Sequence, residues 1–454
     1  MFKSIRLRNF KGYSDSGDVP LAPLTILIGL NNSGKSTILQ GLLALSQTIQ
    51  DPAQSPTLVT KGPADLNGFY DIVHGKHSSS EASFEISIRL DSPQTVRFQT
   101  GSTPQTTQDI QVPDQLSVSF TLDKKANEIE VDRSTLRLLD KTFLEIRKPA
   151  TTWSSDILPA SISRQTGAVF RSILPGLAMS PSATQEALSP DFVNAVTWTQ
   201  ISYHIWSGIF ASHLHRVGPL RRRVPWQASI GARSSSELGL GGENLIAALG
   251  SGEKVPGTTK SVLQLVSDWV SKRDILQSLH LETDKGSTGR MLLADEFGGP
   301  SNINVAAMGE GISQLLPIIA RSLMNTFLDC LLVEQPEIHL HPALQADLAD
   351  LFIDVVKTQG RQVIVETHSE HLLMRVQRRI AEGKTITPDQ VVILFVEKDG
   401  GKSKVHPLPL DKMGHFDEWP PGFFEEGYRE SLELARAGLC NEFGKTAMKS
   451  FQPE

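Results

Sequence analysis

The clearest hydrophobic pattern near the start of the chain is a short apolar run followed by a longer one. Leu24 to Ile28 is apolar apart from Thr25 and is bounded by turn-forming residues, which predicts a strand buried on both faces. Thr37 to Ile49 is strongly apolar and has the length of a helix. A polar, glycine-containing segment separates them, so the pattern predicts a strand, a loop and a helix in that order.

The same alternation of strand and helix returns in the last third of the chain. Apolar runs predict three strands there, and amphipathic spacing predicts two helices between them. The strands are expected at Asp329 to Glu334, Gln362 to Glu366 and Val391 to Val396, and the helices at Ala343 to Lys357 and Ser369 to Glu382. Repeated alternation of this kind is typical of an α/β fold with a mainly parallel sheet flanked by helices.

The intervening region is less regular. Phe84 to Leu90 and Leu116 to Leu122 alternate well enough to predict two strands, and the polar Gln99 to Pro113 between them is expected to be a surface loop. Thr151 to Pro190 is rich in Ser, Thr, Pro and Ala, so we expect a partly helical insertion there. It shows no sustained heptad repeat, and a long coiled-coil arm is therefore not expected.

Composition narrows the class of protein without identifying it. Of 454 residues, 39% are hydrophobic and 21% are charged, which is ordinary for a globular chain, and the formal net charge is −6. Any nucleic-acid binding is therefore expected to come from a local basic patch. Cys330 and Cys440 fit no metal-binding or redox spacing, which favours incidental thiols in a reducing compartment. No apolar run approaches the roughly 20 residues needed to span a bilayer, so we predict a cytoplasmic protein with no membrane partner.

The most specific motif lies between the first predicted strand and its helix. The segment from Gly29 to Ser36, GLNNSGKS, fits the phosphate-loop pattern G-x-x-x-x-G-K-S, and the flanking strand and helix disfavour a chance glycine-rich turn. Glycines let such a loop fold tightly and point its N–H groups at phosphates. Lys35 is expected to reach the terminal phosphates of a nucleoside triphosphate and Ser36 to bind Mg²⁺. The predicted nucleotide contacts are Gly29, Asn31, Asn32, Ser33, Gly34, Lys35, Ser36 and Thr37.

The strand that starts at Asp329 ends in acids, in the sequence LLVEQPE. A phosphate-loop enzyme needs a carboxylate beside Mg²⁺ and a polar group that orients the attacking water. Glu334 suits the first task, but the next position, which normally supplies the general base, is Gln335. An amide accepts no proton at neutral pH, although it can hydrogen-bond a water. Glu337 is the nearest other carboxylate, and two roles stay open for it: catalysis, or capping a turn or binding a basic neighbour.

A histidine follows the next predicted strand. Thr367, His368 and Ser369 come directly after Gln362 to Glu366, at the carboxyl end where parallel sheets usually bind ligands. A lone histidine is more often structural. Because it follows a phosphate loop and an acidic strand in this order, we predict that His368 contacts the terminal phosphate.

A second glycine-containing segment precedes a predicted helix that extends through Leu323. Its sequence, MGEGISQ, places Gly309, Gly311, Ser313 and Gln314 at the start of that helix, where free N–H groups and the helix dipole favour anions. Two phosphate sites on one chain favour a head-to-tail dimer that sandwiches each ATP between subunits. The alternative is a simple glycine-rich helix cap.

These segments, in this order, resemble the ATP-binding-cassette ATPases of the RecF, SMC and OLD-like branch. Ile5 to Lys11 looks like the opening strand of that branch, Gly309 to Gln314 like its degenerate signature motif, and Glu334 to Pro342 like its acidic stretch ending in His-Leu-His-Pro. His368 matches the switch histidine, and the segment from Val217 to Arg221 also has a counterpart there. The resemblance covers residues 1–90 and 216–396.

The resemblance implies an ATPase head with an antiparallel β portion in its N-terminal lobe. We accordingly expect an N-terminal part of the head at 1–122, an inserted region at 123–215, a C-terminal part at 216–397 and a hairpin with a helical tail at 398–454. The tail from Asp417 to Phe424 and the Glu-Gln-Pro-Glu form of the acidic motif resemble those of small bacterial AAA-type ATPases. Such ATPases are often encoded beside nucleases in anti-phage defence systems, the Septu type among them.

Three departures from that branch shape the expected function. Gln335 in place of a glutamate predicts slow hydrolysis of ATP. No Cys-x-x-Cys hook or long coiled coil is present in the sequence, which disfavours bridging of DNA. Only 57 residues follow Glu397, without an Asp-x-Asp pair, so we expect no nuclease within this chain and place Glu397 in a hairpin that turns at Asp399 to Gly401.

The leading hypothesis is an ATPase that dimerises around ATP and Mg²⁺ and regulates a separately encoded nuclease, such as an HNH type, in anti-phage defence. The alternative is a RecF-like repair ATPase that binds DNA in an ATP-dependent way. Three readings stay open for Arg221 to Arg223: contact with DNA phosphates, contact with the γ-phosphate, or a solvated basic face. A third hypothesis is a scaffold that binds ATP and keeps it.

Overall fold

The computed structural model describes thirteen stretches of the chain. They are residues 1–53, 55–76, 82–99, 107–148, 153–159, 166–171, 173–179, 190–212, 214–229, 238–252, 254–283, 289–324 and 329–416. About half of the expected insertion from Thr151 to Pro190 lies outside these residues, as does the whole tail from Asp417 to Phe424. Among the described residues, no helix is long and apolar enough to cross a membrane.

Strands make up most of the described secondary structure. Their bounds are Phe2–Phe10 (β1), Tyr13–Asp15 (β2), Val19–Pro20 (β3), Leu24–Gly29 (β4), Ser83–Leu90 (β5), Gln94–Gln99 (β6), Thr107–Val112 (β7), Gln115–Asp123 (β8), Glu128–Leu138 (β9), Lys141–Arg147 (β10), Trp153–Ser154 (β11), Thr166–Arg171 (β12), Leu174–Met179 (β13), Leu214–Val217 (β14), Ala228–Ser229 (β15), Ser278–Thr283 (β16), Gly289–Asp295 (β17), Ile303–Asn304 (β18), Cys330–Glu334 (β19), Gln362–Glu366 (β20), Val391–Asp399 (β21) and Lys402–Leu408 (β22).

The helices pack against these strands, on both faces of the central sheet. Their bounds are Lys35–Ile49 (α1), Phe69–Ile72 (α2), Pro190–Ser212 (α3), Leu245–Leu249 (α4), Val262–Ser271 (α5), Glu310–Leu323 (α6), Pro342–Gln359 (α7) and Glu370–Ala381 (α8). The expected helices at Thr37 to Ile49, Ala343 to Lys357 and Ser369 to Glu382 are thereby confirmed, each within two residues at both ends.

The central sheet is parallel except at one edge. Its six strands follow the order β14-β19-β20-β4-β21-β22, and only the last pair is antiparallel. Neighbouring strands β19, β20 and β4 run in the same direction, so their carboxyl ends meet at one edge of the sheet. This arrangement confirms the predicted α/β class and brings together three segments that are separated by up to 340 residues in sequence.

A second, antiparallel sheet forms the N-terminal lobe. It follows the order β11-β10-β9-β8-β5-β1-β2, with β3 also pairing β1. Strands β9 and β10 fall within the range 123–215 that we expected to be an insertion, and they continue this sheet, because β9 pairs with β8 and β10 pairs with β9. Helix α3 also lies in this range, whereas the described residues between Thr151 and Pro190 contribute the strands β11, β12 and β13.

Two apolar cores lie on opposite faces of the central sheet. Strand β4 divides its side chains between them, with Leu27 on one face and Leu24, Ile26 and Ile28 on the other. The first core adds α1, α3 and the antiparallel sheet, and the second adds α4 to α8. Burial on both faces explains why β4 is continuously apolar instead of alternating.

One sequence expectation is wrong. The polar stretch from Gln99 to Pro113 is not simply a surface loop, because β7 occupies its second half and pairs with β6. Ile110 and Val112 alternate with polar residues and are buried, and the Trp198 indole donates a hydrogen bond to Gln111 O (2.8 Å). The short alternation was masked by the abundance of Thr and Gln around it. The hairpin expected around Asp399 to Gly401 is confirmed by β21 and β22.

Candidate nucleotide site

The phosphate-loop segment connects the buried strand β4 with helix α1. Gly29 and Gly34 have φ angles of 139° and 113°, which side-chain-bearing residues rarely adopt. A Cβ at Gly29 would overlap Val396 O, and one at Gly34 would lie 2.6 Å from Ser403 Oγ. Both glycines of the motif are therefore required by the backbone conformation. They are also required because residues from β21 and β22 of the same chain approach them closely.

Lys35 lies at the centre of this loop. Its ammonium group donates hydrogen bonds to Gly29 O (3.0 Å) and Leu30 O (2.8 Å). Burial lowers the pKa of Lys35, while the carboxylates of Glu366 and Glu337 oppose that shift. The cation is thus held inside the loop that would surround the phosphates, close to two acids.

The acidic residue Glu334 ends β19 beside two neighbouring strand ends. In the sheet register Glu334 is paired with Glu366 of β20, and Glu366 with Leu27 of β4. Glu334 is buried, and its Oε1 accepts a hydrogen bond from Arg216 Nε (2.5 Å). The predicted magnesium-side carboxylate therefore lies at the carboxyl edge of the sheet, two strands away from the phosphate-loop strand.

The Gln335 backbone is fixed from two sides. Its N–H donates to Glu366 O (2.7 Å), and its carbonyl accepts from Arg221 Nη2 (3.3 Å). Arg221 is buried and also donates to Gly218 O (3.1 Å) and Glu334 O (3.4 Å). Gln335 has a φ of 44°, an uncommon conformation for a residue with a side chain. The tertiary contacts hold this turn, while the Gln335 side chain is only partly buried.

Glu337 is engaged through both carboxylate oxygens. Oε2 accepts from Thr367 Oγ1 (2.7 Å) and Oε1 accepts from the backbone N–H of His368 (2.7 Å). Glu337 therefore ties the turn after β19 to the segment after β20.

His368 faces the same edge of the sheet. Its Nε2 is buried and has no hydrogen-bond partner among the described residues. Burial lowers the pKa of His368, the Lys35 charge lowers it further, and Glu337 opposes the shift. The imidazole is consequently neutral at pH 7 and offers an unused ring nitrogen. Ser369 directly caps α8 through its hydroxyl, which accepts from Leu372 N (3.0 Å).

Glu366 belongs to this group, and the sequence analysis did not single it out. Its Oε1 accepts a hydrogen bond from Ser36 Oγ (2.8 Å), which links β20 to the first turn of α1. Burial raises the pKa of the Glu366 carboxyl to about 7, with Glu334 and Glu337 adding to the shift and Ser36 and Lys35 opposing it. The argument that selected His368, its position at the end of a parallel strand, would also have selected Glu366.

The signature-like segment, Gly309 to Gln314, forms the start of helix α6. Gly309 precedes α6 and is exposed, whereas Ser313 is fully buried within the helix. Gln314 Nε2 donates to Arg221 O (2.9 Å), and a Cβ at Gly311 would lie 2.9 Å from His339 O. Within the described part of the chain, no hydrogen bond joins this segment to the phosphate loop.

A family model described as "AAA domain, putative AbiEii toxin, Type IV TA system" matches residues 24–375, which is most of the chain. The chain belongs to this family. It is a phosphate-loop ATPase, and the matched range includes the phosphate loop, the acidic strand end and His368. A second model, a protein family of unknown function (DUF3696), matches residues 386–434.

Solved structures similar to this AAA-family ATPase include heads of SMC proteins. One is an SMC head bound to the C-terminal winged-helix domain of ScpA (16% identity, 90% of this chain, 98% of that chain, TM-score 0.43). Another is the SMC head domain from Thermotoga maritima (10% identity, 90% and 99%, TM-score 0.40). A third, from Pyrococcus furiosus, carries an extended coiled coil and is bound to the C-terminal domain of ScpA (13% identity, 96% and 99%, TM-score 0.42). No curated protein matches the sequence.

A cavity of about 610 Å³ opens beside the phosphate loop of this AAA-family ATPase. Asn32, Gly34 and Thr37 line one side. The opposite sides are formed by the turn after β1, by the segment around α2 and by the β21–β22 hairpin, through Lys11, Gly12, Leu66, Asn67, Asp71, Val73, His74, Gly75, Lys398, Gly400, Gly401, Lys402 and Ser403. Its position against the loop suits the nucleoside part of a bound nucleotide.

The oxygen atoms at the strand ends suit a magnesium ion. Mg²⁺ prefers hydroxyl, carboxylate and phosphate oxygens, and Ser36, Glu334 and Glu366 provide the first two kinds. The Oε2 atom of Glu366 is buried without a hydrogen-bond partner in the described residues, so it has an unused acceptor. The residues present therefore fit the ion that phosphate-loop ATPases use, and Mg²⁺ would neutralise charge on the β- and γ-phosphates.

Proposed function

We propose that this protein binds ATP with Mg²⁺ and hydrolyses it slowly, using ATP mainly as a state signal. The observation that carries the proposal is Gln335 at the turn directly after Glu334, with its backbone N–H bonded to Glu366 O at the end of the neighbouring strand. A glutamine there can orient a water but cannot take its proton at neutral pH.

The remaining side chains divide the work around the phosphates. Lys35 would exchange its two loop carbonyls for terminal phosphate oxygens, because an anion is the stronger partner for an ammonium group. Ser33 contributes a buried hydroxyl that has no hydrogen-bond partner among the described residues. Neutral His368 would donate or accept at its unused ring nitrogen, and Glu337 would keep the His368 backbone in place.

A head-to-tail dimer would complete each site. The exposed N-terminus of α6, at Gly309 and Glu310, presents backbone N–H groups that could approach the γ-phosphate bound by another subunit. Ser313 is buried, so its contribution would be to the packing of α6 unless the helix moves on closure. Gly311 and Gln314 would then set the position of the α6 N-terminus through their contacts with His339 and Arg221.

The proposed output is regulation of a separately encoded effector nuclease in anti-phage defence. Support comes from the toxin named in the family description and from the position of the C-terminal hairpin. Ser403 on β22 donates its N–H to Gly12 O (2.8 Å) and lies next to Gly34 of the phosphate loop. A partner bound by the C-terminal region would therefore be linked to the nucleotide site through the contacts of Ser403 with Gly12 and Gly34.

Light scattering combined with ATP binding tests the proposal. The full chain should bind ATP and form dimers with Mg²⁺–ATP, and the dimer should persist for many minutes because hydrolysis is slow. Lys35→Ala should abolish both effects, while Lys61→Ala, at an exposed lysine outside the site, should leave both unchanged. Monomers at saturating ATP would contradict the dimer, and the absence of ATP binding would refute the whole proposal. Retention of ATP with no phosphate release would favour the scaffold.

The alternative, a DNA-binding ATPase, is supported by one surface. Of the three consecutive arginines, Arg221 is buried and binds Gln335 O, but Arg222 and Arg223 are exposed, as is Trp226 a few residues later in the chain. Two cations and an aromatic ring suit phosphates and bases. ATP-stimulated binding to short DNA that weakens from 50 to 200 mM salt, and that Arg222→Ala with Arg223→Ala removes, would favour this alternative over the effector hypothesis.

A further inference from the structure

The negative charge of Glu366 is energetically unfavourable at its position in the fold. It is 3% exposed, and it ends β20, the strand between phosphate-loop strand β4 and acidic strand β19. The sheet register places it beside Glu334, and both Glu334 and Glu337 disfavour its negative charge. A buried carboxylate among other carboxylates costs free energy unless a cation compensates it. Lys35 supplies only part of this compensation, and its ammonium is bonded to two loop carbonyls.

The two oxygens of Glu366 have different surroundings. Oε1 accepts from Ser36 Oγ (2.8 Å), and Ser36 is the hydroxyl that the phosphate-loop motif assigns to Mg²⁺. Oε2 is buried and has no hydrogen-bond partner in the described residues. A buried acceptor without a partner is rare in folded proteins and is often explained by an ion or water. Here that oxygen belongs to a side chain already in contact with the expected metal ligand.

We propose that Glu366 is a second carboxylate ligand, with Glu334, for the Mg²⁺ that accompanies ATP. This inference rests on the proposed ATP binding. The general pattern of phosphate-loop enzymes requires one carboxylate at the end of one strand, whereas in this chain two adjacent strands each end in a glutamate that lies at the same edge of the sheet. A second anionic ligand strengthens binding of a hard divalent cation.

A purely structural role for Glu366 predicts a different outcome. As a hydrogen-bond acceptor for Ser36, the carboxylate could be replaced by an amide, since the carbonyl oxygen of glutamine also accepts a hydrogen bond. As a metal ligand, it needs its negative charge. Glu366→Gln therefore separates the two roles while leaving the size of the side chain nearly unchanged.

The experiment measures Mn²⁺ affinity by electron paramagnetic resonance on the full chain with a saturating non-hydrolysable ATP analogue. Mn²⁺ replaces Mg²⁺ because both prefer oxygen ligands. For Glu366→Gln, the affinity for Mn²⁺ should fall about tenfold or more. Glu370→Gln, which neutralises an exposed glutamate four residues later, should behave as wild type. Binding of the analogue in EDTA should remain in both variants, which shows that the fold is intact.

Each other outcome has a defined meaning. Mn²⁺ affinity of Glu366→Gln within twofold of wild type overturns the inference but leaves ATP binding untouched. A wild-type protein that binds no analogue refutes the proposed function instead. If Glu366→Gln does not fold, Glu366→Asp decides: weaker Mn²⁺ binding with normal binding of the analogue in EDTA supports the ligand, and unchanged Mn²⁺ binding overturns it.

Discussion

Replacing Gln335 with glutamate should convert this protein into a faster ATPase. The change adds one carboxylate at a turn whose backbone is already held by Glu366 O and by Arg221, so the conformation should be retained. Both side chains have the same length and branching. The substitution therefore changes the chemistry at this position, from an amide that orients water to a base that accepts its proton, with little change in shape.

The expected size follows from the value of a general base. Such a group typically contributes about 10²–10⁴-fold in rate, which corresponds to about 2.7–5.4 kcal/mol of activation free energy. Glu334, Glu337 and Glu366 already surround the turn, and a fourth carboxylate would be repelled by them. We therefore expect the lower end, a roughly 100-fold faster chemical step.

Single-turnover release of phosphate, with protein in excess over ATP, measures that step without the contribution of product release. Glu334→Gln provides the background, because it removes the predicted magnesium-side carboxylate while keeping its shape. A Gln335→Glu rate within twofold of wild type, with Glu334→Gln at background, would show that water is not activated at position 335. If Glu337→Ala then abolished the reaction, the catalytic position would have to be reassigned to Glu337.

Three further substitutions test the packing around the site by thermal unfolding and ATP binding. Arg221→Ala removes a buried guanidinium that binds three backbone carbonyls and should destabilise the fold by about 2–4 kcal/mol. An unchanged melting temperature would show that the turn at Gln335 keeps its conformation without Arg221. Gly34→Ala, at a φ of 113° and against Ser403, should reduce ATP affinity at least tenfold, and normal affinity would mean that the loop can shift. Asp329→Ala leaves the fully buried Arg361 without its ion-pair partner and should cost about 3–5 kcal/mol, with ATP affinity per folded molecule unchanged. A loss below 1 kcal/mol would contradict the buried charge.

The sequence determined the parts of this protein that are encoded locally. The segment from Gly29 to Ser36 shows its function in eight consecutive residues, because the glycines, lysine and serine that surround a phosphate are neighbours in the chain. The buried strands β4, β19 and β20 are equally local, since burial on both faces leaves a continuous apolar run. Strand β7 was missed because only two apolar residues mark it.

Only the tertiary structure decided which distant residues meet. Ser36 and Glu366 are 330 residues apart, and no local pattern connects a hydroxyl in a helix with a carboxylate at the end of another strand. Three consecutive positions, Arg221, Arg222 and Arg223, carry the same residue type. The fold nevertheless buries the first, which binds Gln335 O, and exposes the other two. The physical reason is that burial and partner choice depend on the surfaces brought together by strand order, and strand order is a property of the whole sheet.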